Sequence, residues 1–451
     1  MFDSGRTVTL ARFRRLTASP GRRIGLAAAT GAVAKVLSLA AQILAVAIAY
    51  RVLHVQGFAI FVTIVALVSW LSLASLGVAP GVTLGIARAA ARADALTAAR
   101  LFSVSLLLAA VVAAGLVLIA LPISAAAGVG ERLGQSFGAD ATDAGSAVAL
   151  MIGFVAAQLL LAVPEAAQLG LQSQYLTNMW AAAGSALTLL LLGAVGPAVT
   201  SVTAFVALSQ GPQILARALN GLTFVAGHRY LLRPHGLQVR SLLRPVVGSG
   251  VAFAAIQLAS YVSLQFGLLV VAGTSKAASV SLAGIILRAI TVASGPVALL
   301  TAPTWPTVTD AASRGDNLWV GRIYRRVLTV TTGYACLIAF AIFFGAEQAL
   351  TLWTGQAIHL DLPIQVLLAA YFILGVISHV SALTLVGLGL LRFTATVLII
   401  EAALVAALML ILIPIIGVLG YVAALAVGTA AISAWLLPLR ARNEISKVRI
   451  S

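Results

Sequence analysis

Twelve apolar segments, each long enough to cross a lipid bilayer as a helix, constrain this chain more than any other feature. A helix needs about 20 mainly apolar residues to span the hydrocarbon core. The segments are 24–50, 58–78, 101–123, 147–164, 179–195, 198–225, 246–271, 277–303, 327–344, 364–386, 393–413 and 417–437. Since 61% of the 451 residues are hydrophobic, 9% are charged and the mean hydropathy is +1.08, a soluble globular domain is excluded. We therefore predict an all-α integral membrane protein.

Basic residues are distributed unequally between the two sides of the membrane that twelve spans define. Of the 28 Lys and Arg residues, 22 fall on the side that holds both termini. The other side has only three, and the remaining three, Lys35, Arg217 and Arg288, lie within spans. Because cationic loops stay in the cytoplasm, both termini are predicted to be cytoplasmic. The same rule explains the net charge of +16 without a nucleic-acid partner.

The sequence divides into two halves of the same topology. A basic loop follows the second span, and a similar one follows the eighth, roughly 220 residues later. We predict two six-helix lobes around a central cavity, with an N-lobe at 24–225 and a C-lobe at 246–438. A basic cytoplasmic linker, 226–245, joins them, and cytoplasmic tails, 1–23 and 439–451, flank them. Carriers built from such repeats bind their substrates between the lobes, near the middle of the membrane.

No pattern in the sequence indicates an enzyme. The single cysteine, Cys336, excludes an intrachain disulfide, and the five histidines are scattered without metal-ligand spacing. No GxxxxGK[ST] motif is present to bind ATP. We predict no catalytic residues, no cofactor and no metal site.

Polar residues recur at helical spacing in four of the spans, which indicates a shared hydrated interior. The four stripes are Lys35, Ser38 and Gln42; Gln210, Gln213, Arg217 and Asn220; Gln257, Tyr261 and Gln265; and Ser281, Gly284, Arg288, Thr291 and Gly295. From these we select Arg288, Lys35, Arg217, Gln42, Gln257 and Tyr261 as candidate substrate-binding residues.

Each candidate also has a purely structural interpretation. Arg217 lies about two turns from the cytoplasmic end of its span, where a long side chain can snorkel to the interface, and Lys35 could do the same. Glutamine and tyrosine side chains often hold helices together. Glu401 could be a salt-bridge partner, a site for a coupling proton, or a hydrogen-bonding group between helices. Arg288 is furthest from both ends of its span and is the best candidate for binding.

A cavity lined by Lys35 and Arg288 would attract an anion. Basic loops would flank its cytoplasmic mouth. This arrangement favours a phosphate-bearing substrate from the inner leaflet over the lipophilic cations that many drug exporters carry.

Three short motifs occur in a family-like order along the twelve spans. The loop after the eighth span has Trp305-Pro306 followed by Ala311, Ala312, Arg314, Gly315, Asp316 and Arg325. The first span ends in RVLHVQGFAIF, in which Arg51, Leu53 and Phe58 fit the pattern R-x-L-G-x-x-x-F-G, while His54 replaces a glycine and the final glycine is absent. The third motif is LTLWTG, from Leu350 to Gly355.

In these motifs and their order the chain resembles the polysaccharide and O-antigen repeat-unit flippases of the multidrug/oligosaccharidyl-lipid/polysaccharide (MOP) exporter superfamily. The resemblance implies a MATE-like fold in a bacterial inner membrane and a polyprenyl-pyrophosphate-linked oligosaccharide as substrate. The related lipid II flippases hold a pyrophosphate with cations in the first and eighth spans, so Lys35 and Arg288 would have those roles here. Two C-terminal spans of that branch are missing, which makes a peptidoglycan precursor a poorer candidate.

The sequence leaves other functions open. Membrane lipid surrounds the chain in any of them, and a polysaccharide polymerase or glycosyltransferases are the expected partners of a flippase. A small-molecule exporter of the same fold would have an acidic or aromatic interior. A scaffold that recruits biosynthetic enzymes without transport would tolerate the loss of Lys35 and Arg288.

Overall fold

The computed structural model describes residues 20–71, 78–232, 251–301 and 304–447, and its secondary structure in these ranges is helical. This confirms the predicted all-α fold. Most of the predicted N-terminal tail (1–19), most of the linker (233–245) and the last four residues (448–451) lie outside the described residues.

The helices of the described ranges are, in chain order, α1 (Pro20–Val52), α2 (His54–Leu71), α3 (Val78–Ala91), α4 (Ala95–Ala126), α5 (Val129–Phe137), α6 (Ala141–Gly170), α7 (Gln174–Ala194), α8 (Val202–Gly227), α9 (Val251–Tyr261), α10 (Gly267–Thr274), α11 (Ala277–Thr301), α12 (Thr304–Ser313), α13 (Asn317–Thr354), α14 (Leu362–Gly387), α15 (Leu391–Ile416), α16 (Val418–Ala431) and α17 (Ser433–Lys447). Short 3₁₀ turns occupy Gly196–Ala198 and Arg229–Leu232. A π-helical turn, Val262–Phe266, joins α9 to α10.

In the described ranges, eleven helical stretches are long and apolar enough to cross a membrane. The chain is therefore a multi-pass membrane protein. The sixth predicted span, 198–225, forms α8, a helix of 26 residues that is not among the eleven. Its stripe of glutamine, arginine and asparagine lowers its hydropathy.

Several segment boundaries differ from the sequence prediction, and two of these differences affect the interpretation of the polar residues and loops. The fourth span was expected to end at Pro164, but α6 continues to Gly170 with Pro164 inside it. Proline removes one helical hydrogen bond, and neighbouring helices in a membrane protein compensate for that loss. The predicted basic loop after the eighth span is instead helical, because α12 begins at Thr304 and α13 at Asn317.

The chain packs as two units. Unit 1 comprises the described residues of Met1–Ile48 and Trp70–Ala254, and unit 2 those of Ala49–Ser69 and Ala255–Ser451. The second span thus packs within unit 2, although it was grouped by sequence order with the predicted N-lobe. A core of α3, α4, α6 and α8 residues, including Phe102 and Phe224, holds unit 1 together.

Two of the family-like motifs contact each other within unit 2. Arg51 Nε donates a hydrogen bond to the carbonyl oxygen of Thr354, 2.9 Å away. Gly355 ends α13 with φ of 75°, and a Cβ there would lie 2.5 Å from Arg51 Nε. The arginine of the first motif and the glycine of the third therefore form one contact.

The same helix-ending turn occurs twice in each half, at positions related by the predicted repeat. Ala93 and Gly315 have left-handed φ values of 54° and 73°, and the residue after each donates its amide hydrogen to a carbonyl five positions earlier. The following aspartates, Asp94 and Asp316, accept hydrogen bonds at the starts of α4 and α13. The hydroxyl and the amide of Thr97 hold the pKa of Asp94 below its usual value. The two halves share this turn, and the duplication itself stays a prediction.

The second pair of turns is centred on Gln172 and Gly389, with φ of 56° and 83°. Backbone amides of Ser173 and Leu390 close these turns at 2.8 and 2.9 Å. Ala93 and Gln172 thus adopt a backbone conformation that strongly favours glycine.

We predict that Gly389→Ala destabilises the protein by about 1 kcal/mol, the cost of a Cβ in the left-handed region. No atom would contact the new Cβ within 4 Å, so the backbone conformation alone decides the effect. Thermal unfolding of the purified protein in detergent measures it. Gly333→Ala, inside α13 and equally open, is the control. It should be neutral or slightly stabilising, because alanine favours a helix; equal destabilisation by both changes would contradict the explanation.

Candidate functional site

Arg288 lies near the middle of α11, which crosses unit 2. Its neighbours Ile285, Ile286, Leu287 and Ile290 are buried, whereas Arg288 itself is only partly buried. Among the described residues no side chain forms an ion pair or hydrogen bond with it. An arginine at this depth is costly unless a partner or water receives its charge. Arg288 is therefore available to bind an anion.

The start of the α11 stripe is a packing surface. Ser281 Oγ donates a hydrogen bond to the carbonyl oxygen of Val55 on α2, at 2.8 Å. A Cβ at Gly284 would lie 2.9 Å from Val62, so the glycine allows α2 and α11 to approach closely. These contacts orient the helix that carries Arg288, one turn further on.

Lys35 and Gln42 lie on α1, in unit 1. Lys35 is partly buried and has no ion pair or hydrogen bond among the described residues. Gln42 Nε2 donates to Ser38 Oγ at 3.3 Å, which places these two members of the predicted stripe side by side. Lys35 belongs to unit 1 and Arg288 to unit 2. That the two cations share one cavity remains a prediction.

Arg217, in contrast, is paired. Its Nε and Nη2 donate to the two carboxylate oxygens of Glu165 on α6, at 2.7 and 2.6 Å, and Nη1 donates to Gln158 Oε1 at 3.3 Å. The two charged side chains are 25% and 20% exposed. A bidentate arginine–carboxylate pair fixes the orientation of both side chains, and each neutralises the charge of the other. Arg217 thus has a structural role in unit 1.

The rest of the α8 stripe also bonds to neighbouring helices. Asn220 and Gln168 are buried and exchange hydrogen bonds of 2.8 and 3.2 Å through their amide groups. Gln213 Nε2 donates to Ser185 Oγ at 2.7 Å, joining α8 to α7. Asn220 and Gln213 of this stripe therefore hold α8 against α6 and α7.

Glu165 was missed in the sequence because it follows Pro164, where the fourth span was expected to end. The spacing of polar residues does indicate it: if the helix continues through the proline, Gln158, Glu165 and Gln168 lie on one helical face.

Gln257 and Tyr261 lie on α9. Gln257 is exposed and Tyr261 partly buried. A π-helical turn follows Tyr261 and contains Gln265. Because this turn is wider than an α-helical one, residues four apart do not lie on the same face as they would in a regular α-helix. Tyr421 of α16 donates its hydroxyl hydrogen to the carbonyl oxygen of Leu264 in that turn, at 3.2 Å. This bond satisfies a backbone acceptor in the irregular turn.

Glu401 on α15 is 7% exposed. Thr429 Oγ1 donates to Glu401 Oε1 at 2.7 Å, while Oε2 is buried and accepts no hydrogen bond within the described structure. No lysine or arginine of the described ranges pairs with it.

A cavity of about 210 Å³ lies between α11 and α14 in unit 2. Its polar lining includes Ser294, Tyr371 and His379. His379 Nε2 is 3.2 Å from Thr301 Oγ1, and Tyr371 lies near Glu401. The buried carboxyl is therefore near a space that water can enter. Among the described residues, no group of three or more His, Cys, Asp or Glu side chains could hold a metal ion.

Searches against family models and curated protein sequences give no match. Solved structures, however, match over nearly the whole chain. The inward-facing conformation of a multidrug resistance MATE family transporter of the MOP superfamily has a TM-score of 0.72 and 17% identity, over 93% of this chain and 96% of that one. An outward-facing structure of such a transporter has a TM-score of 0.64 and 15% identity, over 97% and 98%.

A MOP superfamily transporter from Pyrococcus furiosus has a TM-score of 0.63 and 14% identity, over 97% of this chain and 98% of that one. It is described as having a binding pocket of reverse polarity that suggests a different function. At these identities the likeness establishes the fold. The chain has the fold of MATE transporters of the MOP superfamily.

We predict that Glu165→Gln destabilises the protein by about 2 kcal/mol, because Arg217 would be left without its counter-charge in a mostly buried position. Arg217→Gln should have a similar effect. The double variant should lose less than the sum of the two, and this difference measures the coupling. Thermal unfolding in detergent of the four proteins gives the values.

The exposed pair Arg314–Asp310, with side chains 66% and 61% exposed, serves as the control. The same cycle there should give a coupling near zero. Additive effects at Arg217 and Glu165 would show that their bond contributes nothing to stability.

Proposed function

We propose that this protein is a flippase that moves a polyprenyl-pyrophosphate-linked oligosaccharide from the cytoplasmic to the outer leaflet of a bacterial inner membrane. It would act by alternating access, as a carrier and not as an enzyme. Glycosyltransferases would supply the lipid-linked sugar on the cytoplasmic side, and a polymerase would use it after transfer.

The proposal rests mainly on the position and surroundings of Arg288. It is a permanently charged group in the middle of a spanning helix, and no described residue neutralises it. A pyrophosphate supplies several acceptor oxygens for the five N–H groups of a guanidinium. Contacts of α11 with α2 hold the arginine in place for such a ligand.

The other buried cations divide into two kinds. Arg217 already pairs with Glu165, so it is a weaker candidate for substrate binding than the sequence suggested. Lys35 has no such partner among the described residues. We therefore propose Arg288 as the residue that binds the pyrophosphate, and Lys35, Gln42, Gln257 and Tyr261 as further candidates for substrate binding.

The fold supports membrane transport, and its known members allow interiors of different charge. The Pyrococcus furiosus neighbour is described by a reversed pocket polarity and a suggested different function. A cationic interior on the same fold agrees with an anionic substrate better than with a lipophilic cation.

The alternative is a MATE-type exporter of small molecules. Likeness to multidrug resistance transporters favours it, as does the buried carboxyl of Glu401, which could attract a cationic drug. The two functions differ in what Arg288 does: an exporter of cations would gain or keep activity when this positive charge is removed.

Replacing Arg288 tests the proposal directly. In proteoliposomes that contain a polyprenyl-pyrophosphate with a fluorescently labelled oligosaccharide, Arg288→Ala should lower the flipping rate by about 100-fold or more, because a buried charge-assisted pair is lost. Arg288→Lys should retain part of the rate, since it keeps the charge without the two-pronged geometry.

Lys276→Ala removes an exposed cation next to the start of α11 and should flip the lipid at the parental rate. A parental rate for Arg288→Ala at normal abundance would refute the cationic site. Efflux of a lipophilic cation by the parent protein, without flipping, would establish the exporter instead. If neither substrate moves and polysaccharide output in cells survives Arg288→Ala, the protein acts as a scaffold.

We also propose that Glu401 carries a coupling proton. Its unsatisfied Oε2 and its closeness to the cavity at Tyr371 favour a group that binds and releases a proton. Glu401→Gln should therefore remove the acceleration that an imposed pH gradient gives to flipping, while exchange without a gradient continues. Asp361→Asn, an exposed acid at the start of α14, should respond to the gradient as the parent does. An unchanged response of Glu401→Gln would leave Glu401 with a structural role only.

A further inference from the structure

A groove of about 310 Å³ lies in unit 2, between the first turns of α13 and the last turns of α17. Gly321 allows the two helices to approach, since a Cβ there would lie 3.1 Å from a methyl group of Ile445. The groove is separate from the residues proposed above to bind the transported substrate, because none of them lines it.

Two arginines, one from each helix, supply the charge of this groove. Arg325 of α13 and Arg442 of α17 are both exposed and both line it. Neither forms an ion pair with a carboxylate of the described residues, whereas nearby Arg440 pairs with Glu444 at 2.8 Å. Arg325 Nε makes only a 3.3 Å bond to the carbonyl oxygen of Gly321 on its own helix. The guanidinium groups are therefore available to one anion at the same time.

The remaining lining of the groove is mainly apolar. Leu318, Leu328 and Ile445 form much of its wall, and Ser446 adds a hydroxyl. A ligand that fits must combine a compact anionic group with apolar surface. Free inorganic phosphate has only the first of these properties, and a phospholipid has both.

The position of the groove along the membrane agrees with a lipid. It lies where α13 begins, and residues 318–354 of this helix form a candidate span. The same end of the span is the side on which 22 of the 28 basic residues are predicted to lie. Lipid head groups occupy this level, and basic pockets between helices on the cytoplasmic side bind anionic ones.

We propose that this groove binds the phosphodiester head group of an anionic phospholipid of the inner leaflet. Arg325 and Arg442 hold the phosphate, and the acyl chains run along Leu318 and Leu328. The bound lipid joins the C-terminal helix α17 to α13. This site does not depend on the identity of the transported substrate.

Native mass spectrometry of the full-length protein, titrated with phosphatidylglycerol or phosphatidylcholine, tests the proposal. The parent should retain phosphatidylglycerol and not phosphatidylcholine. Arg325→Gln with Arg442→Gln should weaken this retention about 30-fold, taking the usual value of a cation near an anionic lipid for each arginine. Arg325→Lys with Arg442→Lys should restore most of it, which also shows that the site tolerates substitution.

The matched control is Arg322→Gln with Arg326→Gln, which removes two exposed charges from the same helix outside the groove. It should retain phosphatidylglycerol like the parent. Equal loss in both double variants would overturn the proposal in favour of diffuse attraction to a basic surface. Full displacement of the lipid by millimolar inorganic phosphate would also overturn it, because the site would then recognise the free anion.

Discussion

Hydrocarbon offers no hydrogen-bonding partner, so each polar group inside this membrane protein has to find one within the chain or in water. The pair of Arg217 and Glu165 is the clearest example, since it joins α8 to α6 through two short bonds. Tyr421 satisfies a backbone carbonyl in the π-helical turn in the same way. These internal bonds determine which helices lie side by side in each unit.

Two side chains of unit 2 are exceptions to this rule. Arg288 has no partner among the described residues, and one oxygen of Glu401 has none. Both lie in unit 2, on helices whose other faces are well packed. Leaving these polar groups without a partner lowers the stability of the protein.

The same helix-ending turn occurs at two places in each half of the chain. In one of the two places an aspartate follows the turn and begins a long helix. In the first half the left-handed residues are Ala93 and Gln172, and in the second half they are glycines. The backbone conformation is thus shared where the side chains differ. Arg51 and Gly355 belong to separate sequence motifs, and the structure brings them into contact.

The sequence by itself determined the membrane class, the all-α fold and the polar positions inside the helices, because apolar length and helical spacing are local properties. It also singled out Arg288 and Lys35 as cations within spans. Only the tertiary structure could decide that Arg217 is neutralised, since its partner Glu165 lies 52 residues away in the chain. It also placed the second span in unit 2, extended α6 through Pro164 and brought Arg325 and Arg442 to one groove. Each of these depends on packing between distant segments, which periodicity along one helix does not contain.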